Sequence, residues 1–226
     1  MGFLDSITNA INTFQAKAIE AERQRIEGIL ANISDPFARE IEWTPLVRGG
    51  SSFGTHDINI TPQGILEFQA STSSKIFAGV FMIGGLLFGL MILLSLLGSP
   101  NIDFGVIIFL IIPASFIGIG YFMYRYISQP ITFDKQSGYF YKGKPQMTYG
   151  MIDPTNTSMI PLNSIHALQI VSERVSTKNS SFLSYEINLV LSDKKRVNVV
   201  DHGNLDKIQA DAKQLGEYLG VTVWGM

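Results

Sequence analysis

Two long apolar runs, residues 76–97 and 104–124, contain no Asp, Glu, Lys, Arg or His and split a chain whose other apolar positions are periodic. At roughly 1.5 Å of rise per residue, each run can span about 30 Å of hydrocarbon. They predict two transmembrane helices joined as a hairpin by Gly98, Ser99, Pro100, Asn101, Ile102 and Asp103, a stretch with turn chemistry. Pro113 predicts a kink in the second helix. Gly85 and Gly89, and Ala114 and Gly118, place small residues four apart, the spacing that lets helix backbones approach closely in lipid. These four are the expected helix-packing residues, used between the two helices or, alternatively, against a second copy.

Ahead of the hairpin, Phe3, Ile7, Ile11, Phe14, Ala18, Ile26, Ile29, Leu30 and Ile33 recur mostly at three and four, predicting an amphipathic helix over residues 1–34. Its apolar stripe suits a domain face, a partner helix or a shallow lipid contact, and periodicity does not choose among them. Asp35-Pro36 ends it. Residues 35–55 read as a Gly-rich linker, since Gly49, Gly50 and Gly54 lack the Lys-Ser/Thr that completes a phosphate-binding loop. Residues 56–70 form a β-hairpin about Pro62-Gln63-Gly64. Beyond the membrane runs, strands are expected at residues 131–133, 139–141, 165–171, 183–191 and 196–200, with loops at 142–158 and 176–181. In the 183–191 strand, Leu183, Tyr185, Ile187, Leu189 and Leu191 alternate with Ser184, Glu186 and Asn188. A last helix carries the stripe Leu205, Ile208, Ala212, Leu215 and Leu219, with Asn204 as its cap and Gly220 as its stop.

Two strands before the hairpin, five after it and a closing helix make the inventory of a pleckstrin-homology-like (PH-like) domain. The spacing of Ile131, Phe133 and Asp134 with Gly138, of Ile160 and Leu162 before Ile165, Leu168 and Ile170, and of Tyr185 to Leu191 before Val197 and Val199 resembles PH-like domains carried on membrane hairpins in uncharacterised bacterial proteins. The resemblance implies an α+β membrane protein in which residues 130–226, with the 56–70 hairpin, form an antiparallel PH-like β-barrel or sheet closed by the C-terminal helix. The hairpin inserted after the second strand departs from that pattern. A five-stranded sheet with one helix, the early strands forming their own ribbon, is the alternative. The resemblance brings no catalytic residues, and the Pro62-Gln63-Gly64 turn lacks the Lys and Arg that hold a phosphoinositide in some PH domains.

Charge sets the orientation. The loop 98–103 has no Lys or Arg, whereas Lys75, Arg125, Lys135, Lys142 and Lys144 flank the outer ends, which places both termini in the cytoplasm. The first thirty residues are interrupted by polar groups and are not read as a secretory signal. A net charge of −2 and the lack of a basic patch argue against nucleic acid as a partner. With no Cys there are no disulfides or thiolate sites, and His56, His166 and His202 have no metal-ligand spacing, so neither metal nor cofactor is expected. Lys194-Lys195-Arg196 reads as a solvated turn. Asp201-His202-Gly203 reads as a strand-to-helix turn in which Gly203 supplies an unusual backbone angle. Its rival reading makes Asp201 the orienting partner of a general base, His202, in a membrane-bound hydrolase. The expectation is therefore a non-enzymatic, multi-pass protein of the bacterial cytoplasmic membrane with the bilayer and a protein as partners, self-association remaining open. An immunity protein that neutralises a toxin at the inner membrane is the first alternative.

Overall fold

The computed structural model describes residues 3–97, 104–144, 147–148, 151–152, 159–176 and 180–225. The expected loop at 98–103 and parts of those at 142–158 and 176–181 lie outside the described residues. The chain is α+β, with antiparallel sheets. Strands β1 (His56–Ile60), β2 (Leu66–Ala70), β3 (Ile131–Asp134), β4 (Tyr139–Lys142) and a two-residue β7 (Ile160–Pro161) form one sheet in the order β1-β2-β3-β4-β7. Between β4 and β7, β5 (Met147–Thr148) and β6 (Met151–Ile152) pair only with each other. The second sheet has the order β10-β9-β8-β11, from β8 (Ile165–Ser176), β9 (Ser181–Leu191), β10 (Arg196–His202) and β11 (Thr222–Trp224). β11 runs parallel to β8, an element absent from the periodicity reading.

Among the described residues the two sheets share no ladder, so the expected barrel is open. The reason is local at each corner. β7 stops at Pro161, which has no N–H to extend a ladder, and a 3-10 turn, Leu162–Ser164, carries the chain into β8. At the opposite corner an isolated bridge pairs Gly54, just before β1, with His202 of β10.

Leu66, Phe68, Ile131, Phe133 and Phe140 of the first sheet pack against Leu168, Ile170, Ile187 and Leu189 of the second. Helix α5 (Leu205–Leu219) closes this core with Ile208, Ala212 and Leu215. Asn204 accepts from the Lys207 N–H at its start, and Gly220 at φ 75° stops it. A second cluster covers the other face of the four-stranded sheet. Ala38, Ile41, Trp43 and Trp224 pack on Ala167, Val171 and Val190, flanked by Ile26, Ile29, Leu30 and Ile33 at the end of helix α1 (Phe3–Ala31) and just beyond it. Burial on both faces explains why β8 opens with a nearly continuous apolar run.

The apolar runs form helices α2 (Thr72–Leu97), α3 (Phe104–Phe109) and α4 (Ile111–Ile127). Among the described residues one helix, Thr72–Leu97, is long and apolar enough to cross a membrane. The second run is interrupted at Leu110, between α3 and α4. Pro113 explains the position, because its ring opposes the carbonyl four residues back, that of Phe109. α2 and α4 pack side by side, and Phe77, Phe81 and Phe116 make a chain of ring contacts between them.

Phe133 is fully buried between Phe68 and Phe140. Phe133→Ala is expected to cost about 3–5 kcal/mol in chemical denaturation of the detergent-solubilised chain. Ile19→Ala, at a side chain 70% exposed, is expected to cost less than about 0.5 kcal/mol.

Candidate functional site

The most polar buried region lies where α2 leaves the domain, and it is built around Thr55. The Thr55 N–H donates to Nδ1 of His202 at 3.0 Å. Its carbonyl accepts from the Ser71 N–H at 2.9 Å and from the Ser74 hydroxyl at 2.7 Å, in the first turn of α2. Its hydroxyl donates to the Asp201 carbonyl and meets Nδ1 of His56 at 2.9 Å. The Ser71 hydroxyl donates to the Gly54 carbonyl at 2.6 Å. One residue thereby ties α2, β1 and β10 together.

His202 is completely buried, and its Nε2 lies 3.1 Å from Oδ2 of Asp211 on α5. Because Nδ1 accepts a backbone N–H, Nε2 carries the proton and donates to Asp211, so the neutral tautomer is fixed by its partners. Lys207 completes the group, with Nζ 3.4 Å from Asp211 and 3.0 Å from Asp57. The orienting carboxylate is therefore Asp211 and not Asp201. Asp201 accepts instead from the Asn198 amide at 3.2 Å. Both Asp201 and His202 belong to β10 rather than to a turn. Gly203 does not adopt a positive φ; it is required by close approach, since a Cβ there would sit 2.1 Å from the Ser52 carbonyl carbon.

A carboxylate next to this junction organises the segment before β1. Glu186, 3% exposed, accepts from the Leu46 and Val47 N–H groups at 2.7 and 3.2 Å and from the Asn188 amide at 2.7 Å. Glu173 accepts from the Gly49 N–H at 3.0 Å. The buried Arg196 guanidinium donates to the Thr44 carbonyl at 2.7 Å and to the Gln169 side chain at 3.2 Å. Residues 42–54 are thus strapped across β8, β9 and β10. A Cβ at Gly50 would lie 2.1 Å from the Ser184 hydroxyl, so the strap fits only with glycine there. Of the Lys194-Lys195-Arg196 run, Lys194 and Lys195 are exposed and paired with Glu40 and Asp193, while Arg196 is an internal anchor.

Burial holds His56 neutral and lowers its pKa to about 4, reinforced by the charge of Lys142. Burial together with the neighbouring Glu186 carboxylate raises Asp201 to about 6. Lys142, which donates to the Val199 carbonyl at 3.2 Å, is lowered by burial. Among the described residues no group of His, Asp and Glu has the geometry to hold a metal ion.

The four small residues divide. A Cβ on Gly85 would meet the Pro113 carbonyl at 2.7 Å and Ile117 at 2.8 Å, and one on Gly89 would touch Pro113 at 3.5 Å. Ala114 is exposed, and Gly118 has nothing within 4 Å. On α4 the close approach is made by Pro113 and by Gly120, whose added Cβ would stand 2.9 Å from the Ala78 carbonyl. The fourfold spacing pointed to the opposite face; Gly120 lies seven residues from Pro113, two helical turns along one line. Comparison with family models, curated proteins and solved structures finds no match to this chain.

Two predictions follow from this geometry. Gly120→Leu and Gly85→Leu are expected to destabilise the packed helices by about 1–3 kcal/mol, whereas Gly118→Leu is tolerated, as read by thermal unfolding in detergent. The second concerns pH. An unfolded chain protonates His56 near 6.5 and the folded chain only near 4, so His56 withdraws stability as pH falls through that interval. Asp201 protonates near 6 when folded and 3.8 when unfolded, so it adds stability as pH falls from 6 to 3.8. Each effect is limited to about 1.4 kcal/mol per pH unit. Relative to the parent chain, His56→Gln should therefore gain stability on acidification and Asp201→Asn should lose it. Denaturation midpoints measured from about pH 7 to about pH 4 test the opposite signs.

Proposed function

We propose that the chain is a non-enzymatic integral protein of a bacterial cytoplasmic membrane, crossing it twice through residues 76–97 and 104–124 and holding a PH-like protein-binding domain at the cytoplasmic face. The observation that carries the membrane reading is the exposed apolar surface of the helix pair. Val80, Ile83, Leu87, Met91 and Leu94 of α2 are each 58–63% exposed, and Phe122 on α4 is 71% exposed. Surface of this extent and composition is stable in contact with lipid and not in water. Tyr121, Tyr124, Arg125 and Tyr126 at the domain end of α4, and Lys75 at the start of α2, supply the aromatic and cationic residues that favour a headgroup layer. The connection at 98–103, which has no Lys or Arg, supports placing both termini in the cytoplasm.

The PH-like assignment draws support from strand order. Four antiparallel strands, β1 to β4, precede three more, β8 to β10, and an amphipathic helix follows. The helix pair between β2 and β3, the short β7 and the parallel β11 are additions to that plan. A binding role is favoured over hydrolysis by the state of His202, which is buried with both ring nitrogens engaged and so offers a substrate no free base.

Alkaline carbonate extraction of cell membranes tests the anchor, and the protein should remain in the pellet. A reporter fused after Met226 should be active only in the cytoplasm. Affinity capture of the solubilised chain should retain one other protein in stoichiometric amount. Capture of the chain alone would leave self-association as its binding activity and remove the hetero-partner reading.

A further inference from the structure

Leu46 and Val47 are 40% and 43% exposed although both their backbone N–H groups are held by the buried Glu186. Both N–H groups point inward at Glu186, which leaves the two side chains on the outside of the strap. Arg48, the next residue, is exposed as well. A fixed backbone that displays two aliphatic side chains beside a guanidinium is arranged to meet a surface that is apolar and anionic together.

The position of this segment identifies that surface. Glu186 faces Asp201 in the β9–β10 ladder, and the next residue, His202, bonds Thr55 at the foot of α2. Further along the strap, the Phe53 ring lies 5.9 Å from Phe77, a residue of α2 that is itself 45% exposed. The display is therefore at the end of the domain from which α2 departs, and the Phe53–Phe77 contact continues it onto the apolar surface of the helix. We propose that residues 46–48 make a second, shallow contact with the bilayer, Leu46 and Val47 entering the boundary between headgroups and acyl chains and Arg48 pairing with the phosphate of an anionic phospholipid. This inference rests on α2 being a membrane helix. Tethering by α2 holds the strap near the bilayer at high effective concentration, so a contact too weak to recruit a free domain suffices here. Its consequence is orientation. The helix pair and the domain it holds could still tilt together in the bilayer; a second contact fixes which face of the domain looks away from the membrane.

The chain has no cysteine, so single probes can be placed without background. Val47→Cys, Leu87→Cys and Ile60→Cys, each labelled with an environment-sensitive fluorophore, would be reconstituted as full-length chains in vesicles of phosphatidylethanolamine and phosphatidylglycerol. Ile60 is the control: it is 47% exposed, as apolar as Val47, and lies at the other end of β1 from His56. Headgroup-level spin-labelled lipid is expected to quench the probe at Val47, and deep-labelled lipid the probe at Leu87, while Ile60 responds to neither. Adding Arg48→Glu, or replacing phosphatidylglycerol with phosphatidylcholine, is expected to reduce quenching at Val47 and leave Leu87 unchanged. If Leu87 is quenched and Val47 behaves as Ile60 does, the membrane anchor stands and the second contact is wrong. If Leu87 is not quenched, the anchor itself fails and the second contact with it. A Val47 probe that is shielded but insensitive to lipid quenchers would assign the strap to a protein surface and overturn the proposal.

Discussion

An imidazole with no access to water must find partners for both ring nitrogens inside the protein, and at His202 those partners come from opposite directions. On one side is the Thr55 N–H, which belongs to the chain just before β1; on the other is Asp211, which belongs to α5. Removing either leaves a buried polar group unmatched, at a cost of about 1–3 kcal/mol. The isolated bridge between Gly54, just before β1, and His202 sits at the same point. The junction thus ties together two sheets that share no ladder among the described residues, and it does so beside Ser71, from which the first apolar helix is launched.

Thr55 extends this constraint into the helix. Its carbonyl takes bonds from Ser71 and Ser74, groups that include an N–H and a hydroxyl at the opening of α2. The beginning of an α-helix has N–H groups with no intrahelical acceptor, and here the domain backbone supplies one. The consequence is mechanical: α2 is joined to the domain by a bonded corner instead of a free hinge, and the Phe53–Phe77 contact braces it from the strap side. Stability and orientation of the domain relative to its helices are therefore set by the same few groups.

Periodicity revealed the elements but not this corner, and particular residues show why. Ser184, Glu186 and Asn188 alternate with the apolar positions of β9 and so read as a solvent face; in the structure they are at most 3% exposed, because the strap covers them and its N–H groups bind Glu186. Alternation reports which face differs from the other and is silent on what lies over the polar one. Residues 35–55 read as a linker because Gly49, Gly50 and Gly54 suggest freedom, whereas Gly50 is there for want of room beside Ser184. One signal was available: Asp211 falls three residues after Ile208 and four before Leu215, on the apolar stripe of α5. A carboxylate in that position requires a buried partner, a cation or a hydrogen-bond donor elsewhere in the chain. Which group it is depends on the fold, and spacing cannot supply that. On α2 the fourfold spacing marked the contact, at Gly85 and Gly89; on α4 it marked a line of small residues on another face, because the contact there is made by Pro113 and Gly120.

The polar corner also has to coexist with acid and base groups that it cannot fully hydrate. Burial suppresses the charge of His56 and of Asp201, the one a base and the other an acid. Their contributions to stability have opposite dependence on pH over nearly the same interval, so in the intact chain each offsets much of the other. Glu186 adds a negative charge beside Asp201, yet its oxygens are committed to backbone donors of the strap. The result is a junction whose hydrogen bonds are made chiefly by neutral groups and backbone, with ion pairs such as Lys207–Asp57 placed toward its rim. Such bonds are short-ranged and insensitive to salt, which suits a joint that holds the angle between α2 and the domain.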